Sequence, residues 1–400
     1  MKRIGLSVEN FSLFSGGAES YAVQLAQTLE RNGWEVHLIG HSWDGNPNGA
    51  IFHKIPRLPK LIPPFLRILH FALMHRNLVK RMDLDIVVGF GNTLEMNVYQ
   101  SHGGVHLVSS LKKLRAENNS LVRFVKKILT FVSPKSVMRA WIESAPFRKK
   151  SMPTIIAISD MVRDDICKRY QLSKNQVYLV YNGVNLQRFS SLSTVGDRES
   201  FRRVLGFSSE VLFLFMAYDF RKKGVRYLVQ AAAKLQDRVG KGKFGVVIVG
   251  STPSPALRRL TEALHLESVV LFNGPTKEPE KFYGACDVFM LPTFYDACSL
   301  VVFEAMAYGL PVITTIDNGA SGIITDGVDG AVLDDPRGID QMVSHMERFL
   351  DIDFRQMASR NAKNKVSRYS IEANHSRMLA IFEVTANSNL VKELSKKTKR

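Results

Sequence analysis

Cysteine is scarce in this sequence, with only three residues among 400, at Cys167, Cys286 and Cys298. Three scattered cysteines are too few for a framework of disulfide bonds, and their wide spacing does not suit a zinc cluster. We therefore expect a protein of a reducing compartment.

Long apolar runs are also missing. No uninterrupted apolar stretch approaches the roughly 18 residues that a membrane-spanning helix requires. The first strand-like run, Ile4–Val8, is too short for the apolar core of a signal peptide. We expect a cytoplasmic protein that is soluble or lies on a membrane surface.

Acidic residues are few relative to basic ones: 37 against 54, which gives a net charge of +17. Residues 51–150 alone hold 18 basic and five acidic residues, a net charge of +13. Such an imbalance attracts nucleic acid, anionic lipid or an anionic substrate. No nucleic-acid-binding signature accompanies the charge, so we expect the partners to be an anionic membrane surface and an anionic substrate, and not nucleic acid.

Two stretches of this basic region combine charge with apolar residues at helical spacing. In Leu121–Val132 the apolar residues recur at i, i+3, i+4 and i+7, and Arg123, Lys126 and Lys127 fall on the other face. Phe65–Arg81 mixes apolar and basic residues similarly. One interpretation is two surface helices that bury one face in the core, and the other is a face that rests on an anionic membrane.

The length and the ordinary content of 45% hydrophobic and 23% charged residues predict two globular domains. β-branched runs alternate with helical patterns in both halves, which indicates parallel, doubly wound sheets on either side of a linker near Asn182–Arg203. Ligands bind at the carboxyl ends of such strands, so we expect the active site in the cleft between the domains. The predicted strands are Arg3–Val8, Glu35–Gly40, Ile86–Gly89, Thr154–Ser159 and Gln176–Tyr181, then Val211–Met216, Phe244–Gly250, Val269–Phe272, Val288–Leu291, Pro311–Thr314 and Ala331–Leu333.

Two carboxylates, eight residues apart, follow the predicted strand Val288–Leu291. Asp296 falls in the loop after the strand, and Glu304 lies in a helix that begins near Ser299. Free amides and the positive end of a helix dipole could hold a phosphate here, while the carboxylates accept hydrogen bonds from sugar hydroxyls. The alternative is a helix cap and an unrelated helical glutamate.

A pair of lysines, Lys222 and Lys223, follows the predicted strand Val211–Met216. Paired cations at a strand end can neutralise a leaving diphosphate, and the alternative is a solvated turn.

The segment Asp296–Glu304, with the Gly-Leu-Pro-Val that follows it, resembles the two-glutamate motif of retaining glycosyltransferases of family 4. Three more segments resemble motifs of this family in the expected order. They are the glycine loop Ser15–Glu19, the interdomain linker Tyr181–Asn185 and the basic donor-phosphate segment Asp219–Val225.

The resemblance implies an α/β GT-B fold, in which two Rossmann-like domains face each other across a cleft. Residues 1–185 would bind the acceptor, and a final helix at about 370–385 would pack back onto this domain. Residues 186–369 would bind a nucleotide sugar, expected to be a UDP-sugar. No cofactor or metal ion is implied, because the fold lacks the Asp-x-Asp metal motif and uses positive side chains and helix-end amides instead.

The resemblance also assigns roles to residues. Glu304 would hold the nucleotide ribose, and Asp296 would orient the sugar. Lys222 and Lys223 would stabilise the charge on the departing diphosphate. A histidine near the reacting sugar is implied after an N-domain strand, where we favour His102 over His106. The remaining predicted donor-binding residues are Gly16, Gly17, Ala297, Cys298, Ser299 and Leu300.

A narrower resemblance, through His41–Gly45, Val87–Phe90 and Asn97–Tyr99, is to the lipopolysaccharide core glucosyltransferases that extend the inner-core heptose. It implies a hexose transfer, with glucose from UDP-glucose, onto a membrane-anchored glycan by a peripheral membrane enzyme. One alternative is a family 4 transferase for a polyprenyl-linked glycan, a capsule or a glycolipid. Another is a non-catalytic basic binding protein.

Two positions depart from the family pattern. Asp296 stands where the family usually has glutamate, so its reach toward the donor sugar is one methylene shorter. Tyr218 stands where many members have arginine, so Arg221 or Lys222 must supply the second positive charge.

Overall fold

The computed structural model describes residues 1–12, 17–44, 49–149, 152–190, 195–207 and 211–397. The chain forms two compact units. The first comprises Met1–Tyr181 and Ala373–Arg400, and the second comprises Asn182–Glu372.

The first unit contains a seven-stranded parallel sheet in the order β5-β3-β1-β6-β7-β8-β9 and a small two-stranded sheet, β2-β4. Ile4 and Leu6 on an inner strand, Arg3–Ser7, are fully buried, as expected when helices cover both faces of a parallel sheet. The strands are β1 (Arg3–Ser7), β2 (Asn10–Ser12), β3 (Glu35–Gly40), β4 (Ser42–Asp44), β5 (Ile51–Lys54), β6 (Ile86–Gly89), β7 (Val98–Ser101), β8 (Thr154–Ala157) and β9 (Val177–Leu179).

In the described residues of this unit, six α-helices lie between these strands. They are α1 (Gly17–Arg31), α2 (Pro64–Val79), α3 (His106–Leu114), α4 (Ser120–Val132), α5 (Pro134–Ser144) and α6 (Asp160–Tyr170). Local chemistry sets their ends: the Ser159 hydroxyl caps α6 by accepting from the Val162 amide at 3.2 Å, and Gln171 ends α6 in the left-handed conformation.

The second unit is a six-stranded parallel sheet in the order β12-β11-β10-β13-β14-β15. Two short helices, α7 (Leu186–Ser190) and α8 (Val195–Val204), precede it. The remaining elements are β10 (Val211–Ala217), α9 (Val225–Val239), β11 (Phe244–Gly250), α10 (Pro255–Ala263), β12 (Val270–Gly274), α11 (Pro279–Ala285), β13 (Val288–Leu291), α12 (Leu300–Ala307), β14 (Val312–Thr315), β15 (Gly330–Leu333), α13 (Ile339–Arg348) and α14 (Ile352–Val366).

The last helix, α15 (Ile371–Lys397), completes the core of the first unit. Met378 and Phe382 are fully buried in the cluster that also contains Leu6 and Leu25. Polar contacts fix the same helix, since the Tyr21 hydroxyl donates to Asn374 Oδ1 at 2.9 Å.

Every predicted strand is present with small shifts at its ends, and the doubly wound pattern in each half is confirmed. The sequence did not predict β2, β4, β5 or β7. The edge strand β5 ends in His53-Lys54 and is largely exposed, and β7 contains buried Gln100 and Ser101, so neither shows the apolar run of a parallel strand.

The two amphipathic stretches differ in what they bury. Helix α2 buries Ile68, Phe71 and three other residues, so the core-packing interpretation of Phe65–Arg81 is confirmed. The same interpretation is wrong for α4, which has no buried residue. None of the helices in the described parts of the chain combines the length and apolar character that spanning a bilayer requires.

We predict that Phe382→Ala lowers the free energy of unfolding by about 3–5 kcal/mol, because it removes a fully buried ring and leaves a cavity. Urea unfolding measures this loss. Val384→Ala is the matched control, since Val384 lies on the same helix and is 57% exposed; we expect a change within about 0.5 kcal/mol. Equal effects of the two changes would contradict the docking of α15.

Candidate active site

The turn after β10 presents the two predicted lysines. Lys222 Nζ pairs with Asp219 Oδ2 at 2.6 Å, and the Lys222 amide donates to Asp219 Oδ1 at 3.0 Å. Burial alone would raise the pKa of Asp219, but the bonds from Lys222 outweigh it and hold that pKa below its usual value. Lys222 therefore has a carboxylate partner within its own turn.

Lys223 reaches the loop after β13, where its Nζ forms an ion pair with Asp296 Oδ2. Both side chains are largely shielded from solvent, with 18% of Lys223 and 26% of Asp296 exposed. Burial alone would raise the pKa of Asp296, but the charge and hydrogen bond of Lys223 hold it below its usual value. The structure thus brings two predicted site residues together, and Asp296 is ionised.

Gly224 allows the lysine turn to approach the β13 loop. Its φ is +75°, and a Cβ at this position would lie 2.1 Å from the Pro292 carbonyl oxygen. Two hydrogen bonds tie the same segments together: the Phe294 amide donates to the Lys222 carbonyl at 2.9 Å, and the Thr293 hydroxyl donates to it at 3.3 Å. Only glycine fits here without strain.

The predicted phosphate-binding amides are partly engaged within the protein. The Cys298 amide donates to Asp296 Oδ1 at 3.2 Å, and the Ser299 amide donates to Asn318 Oδ1 at 3.3 Å. Ser299 is the N-cap of α12, so Leu300 is its first helical residue. These two amides therefore position the loop, and the assignment of Ala297–Leu300 to donor binding stays a prediction.

Glu304 lies in the second turn of α12, as predicted, and its partner is Tyr283 of α11. The Tyr283 hydroxyl donates to Glu304 Oε2 at 2.9 Å, and the two tyrosine rings of Tyr283 and Tyr308 stack with their centroids 5.2 Å apart. Burial raises the pKa of Glu304 above its usual value. The sequence offered no signal for Tyr283, which lies beside Phe282 on a short helix and belongs to no motif.

His102 lines a cavity of about 290 Å³ in the first unit. Its ring centroid lies 4.7 Å from that of Tyr21 and 5.3 Å from that of Phe90. Its Nε2 is shielded from solvent and has no hydrogen-bond partner among the described residues. Burial lowers the pKa of His102 to about 3, so the imidazole is neutral near pH 7.

His106 lines the same cavity but is held by the protein. Its amide donates to Glu143 Oε2 at 2.8 Å, and its Nε2 lies 3.1 Å from the Ser136 hydroxyl. Burial, together with nearby positive charges such as Arg139, lowers its pKa to about 4. The polar contacts of His106 mark it as part of the scaffold, whereas the His102 ring lines the cavity and its Nε2 has no partner among the described residues.

The glycine loop is described only in part. Gly17 is the first residue of α1. Gly16 lies outside the described residues, as do Ser15 and the Gly45 of the narrower resemblance.

Two family models match the two halves of the chain. The model described as Glycosyltransferase Family 4 matches residues 15–188, and the model described as Glycosyl transferases group 1 matches residues 197–365. Together these matches cover most of the chain.

Individual relatives agree with these matches. The lipopolysaccharide glucosyltransferase WaaG of Escherichia coli is 25% identical over 82% of this chain and 84% of that protein. An uncharacterized glycosyltransferase of Methanocaldococcus jannaschii is 30% identical over 53% of this chain and 55% of that protein.

Solved structures share the fold. The crystal structure of WaaG, a glycosyltransferase involved in lipopolysaccharide biosynthesis, has a TM-score of 0.77 at 22% identity and covers 95% of this chain and 99% of that one. The structure of HepE from Anabaena in complex with UDP-glucose has a TM-score of 0.65 at 17% identity and covers 96% of this chain and all of that one. These likenesses confirm the predicted GT-B fold with its two Rossmann-like domains.

We predict that Gly224→Ala lowers the free energy of unfolding by more than Gly242→Ala does. The two glycines have a similar positive φ, +75° and +72°, but a Cβ at position 242 would meet nothing within 4 Å. The control should therefore report the backbone strain, about 1–2 kcal/mol, and Gly224→Ala should add the clash with Pro292. Urea unfolding of both variants gives the comparison, and equal losses would contradict the close approach.

Proposed function

Since the chain belongs to the nucleotide-sugar-dependent glycosyltransferases of family 4, we propose that it transfers a hexose from a UDP-sugar, with retention of configuration, onto a membrane-anchored glycan. The proposed sugar is glucose, and the proposed acceptor is the lipopolysaccharide core. The relative WaaG, which is named a lipopolysaccharide glucosyltransferase, and the structural neighbour HepE, solved with UDP-glucose, support this choice.

The observation that carries the proposal is the ion pair between Lys223 and Asp296 beside the start of α12. A diphosphate at this helix N-terminus would meet the Lys223 ammonium, the Lys222 ammonium in the same turn and the positive end of the helix dipole. These groups would stabilise the negative charge that grows on the leaving diphosphate. No metal ion is required in this scheme, and we propose that transfer is metal-independent.

The two carboxylates would bind different parts of the donor, Asp296 the sugar and Glu304 the ribose. Asp296 is ionised and therefore can accept hydrogen bonds from a sugar hydroxyl but cannot act as an acid. Glu304 already accepts a hydrogen bond on Oε2 from Tyr283, which leaves Oε1 to accept one from a ribose hydroxyl. The neutral His102 would contribute a single hydrogen bond to a sugar hydroxyl in its cavity.

A panel of donors tests this assignment directly. We expect UDP-glucose to raise the melting temperature more than GDP- or ADP-sugars do, because a ligand that binds only the native state stabilises it. Slow hydrolysis of the same donor without acceptor, unchanged by a chelator, would identify an enzyme that needs no metal. Stabilisation by no nucleotide sugar would contradict the donor site and favour a non-catalytic binding protein.

We predict that Lys223→Ala lowers kcat by about 10²–10³-fold with a smaller change in KM, because the ammonium interacts most strongly with charge that develops in the transition state. Steady-state transfer kinetics measure this split. Lys234→Ala is the control, since Lys234 also pairs with an aspartate of the second unit, Asp340, but is exposed. Near-normal turnover of Lys223→Ala would refute the phosphate-site assignment.

The membrane part of the proposal rests on α4. Its apolar residues face solvent: Leu121 is 69% exposed, Phe124 is 60% exposed and Phe131 is 51% exposed. On the opposite side of the helix, Arg123, Lys126 and Thr130 form a polar edge that is half-buried, and Lys126 pairs with Glu117 at 2.5 Å. Helix α4 is therefore held by its charged edge and presents its apolar face outward. We propose that this face rests in the interfacial region of a membrane and brings the enzyme to its acceptor.

We predict that Phe124→Ser with Phe131→Ser abolishes co-sedimentation with vesicles that contain anionic lipid. Donor hydrolysis and thermal stability should stay unchanged, because neither ring is buried. The control is Val204→Ser with Ile352→Ser, two apolar side chains of the second unit that are 76% and 57% exposed. If the wild-type protein does not bind anionic vesicles at low salt, or if both variants bind equally, α4 is not the membrane contact.

A further inference from the structure

A second cavity of the first unit, of about 360 Å³, is lined by basic side chains that the proposed transfer does not use. Its lining contains a single acidic residue, Glu9, whose carboxylate already accepts a hydrogen bond from Asn92 at 2.6 Å. We call this cavity the basic groove and define it by Arg57, Lys60, Arg67, Lys135 and Arg139.

The basic groove lies at the carboxyl ends of two neighbouring inner strands, β1 and β3. Glu9 and Asn10 follow β1, and His41 follows β3. Arg57 comes from the segment after β5 and donates to Asn10 Oδ1 and, at 3.0 Å, to the Ser42 hydroxyl. This edge of a parallel sheet is where such domains bind ligands.

Two arginines of the groove are half-buried without a compensating anion. Arg67 Nε and Arg139 Nε are shielded from solvent and have no hydrogen-bond partner among the described residues. Among the described residues, neither guanidinium has an ion-pair partner, and Lys135 has none either. Shielded charged donors are rarely left unpaired, so their placement indicates an anionic ligand.

Two helices add to the positive potential. Pro64 and Arg67 are the first and fourth residues of α2, and Lys135 is the second residue of α5, so all three lie near the positive ends of helix dipoles. Neither first turn carries an acidic residue, although acidic residues are favourable at that end of a helix. Apolar side chains, Ile68 and Phe71, line the groove beside the charges and give a surface on which a sugar ring can pack.

We propose that the basic groove binds a phosphoryl group carried by the glycan acceptor. The guanidinium forks of Arg67 and Arg139 suit bidentate contacts to phosphate oxygens, and the two lysines supply further charge for a dianion. This inference rests on the proposed transferase function, because that function supplies the glycan. It gives the excess positive charge of the first unit a role in acceptor recognition that is separate from the membrane contact of α4.

The first experiment titrates inorganic phosphate into four proteins by calorimetry. Arg67→Gln with Lys135→Gln removes two charges from the groove but leaves Arg139, which also lines the His102 cavity. The matched control, Lys80→Gln with Arg81→Gln, removes two exposed charges of the same unit outside the groove. The fourth protein is Lys223→Ala, which reports any phosphate bound at the donor site.

We expect the groove variant to bind phosphate at least about tenfold more weakly than wild type, since each lost charged hydrogen bond has about that effect. The control should bind as wild type does, and Lys223→Ala should keep the phosphate affinity that the groove variant loses, so that any other binding it loses is assigned to the donor site. Equal affinity in the groove variant and the control, or loss of binding in Lys223→Ala alone, would overturn the proposal. Circular dichroism and the melting temperature identify a variant that fails to fold, and Lys135→Gln alone, at an exposed position, then serves in its place.

The second experiment identifies the source of the phosphate. Transfer is measured to a phosphorylated core oligosaccharide and to the same acceptor after phosphatase treatment. The groove variant should show a raised KM for the phosphorylated acceptor only, with unchanged donor hydrolysis and unchanged binding to phosphatidylglycerol vesicles. Loss of vesicle binding in parallel with phosphate affinity would assign the groove to lipid headgroups and overturn the acceptor assignment. If wild type transfers no sugar, the proposed function fails, while the phosphate titration still decides whether the groove is an anion site.

Discussion

The contact between the turn after β10 and the loop after β13 determines the geometry of the proposed donor site in the second unit. Gly224 permits the close approach, the Lys222 carbonyl accepts the Phe294 amide, and Lys223 pairs with Asp296. The two backbone contacts fix the segment that carries Lys223, so its long side chain can hold the shielded carboxylate of Asp296 in place. The pair also keeps Asp296 charged despite partial burial, which decides that this residue accepts hydrogen bonds and does not donate a proton.

The sequence predicts most of the strands and turns around this contact, because parallel strands that are buried on both faces appear in the sequence as apolar runs. The strand ends, the start of α12 after Ser299 and the lysine turn before Gly224 follow from such runs and from the residues that end them. Side-chain partners from distant segments could not be predicted in this way. Tyr283 on Glu304 and Asn318 at the Ser299 amide are single residues without a local pattern, and only the fold brings them to the site.

Helix α4 shows a different limit of prediction from sequence. Its periodicity indicates an apolar face, but periodicity does not say which face meets the protein. Three-dimensional neighbours decide this, since Glu117 binds Lys126 and the helix packs against α3 and α5 with its polar edge. Helix α2 has a similar pattern, but its apolar face packs into the core of the first unit.

The position of α15 makes the first unit discontinuous in sequence, with consequences for the order of folding on the ribosome. The residues of the second unit, Asn182–Glu372, are all synthesised before Met378 and Phe382, which fill the core of the first unit. Chains are made from the N-terminus, so the second unit can close first while the first unit still exposes the apolar surface around Leu6 and Leu25. During that interval the nascent chain carries its most basic segment beside an incomplete core, which makes the last helix the step that ends its exposure to aggregation.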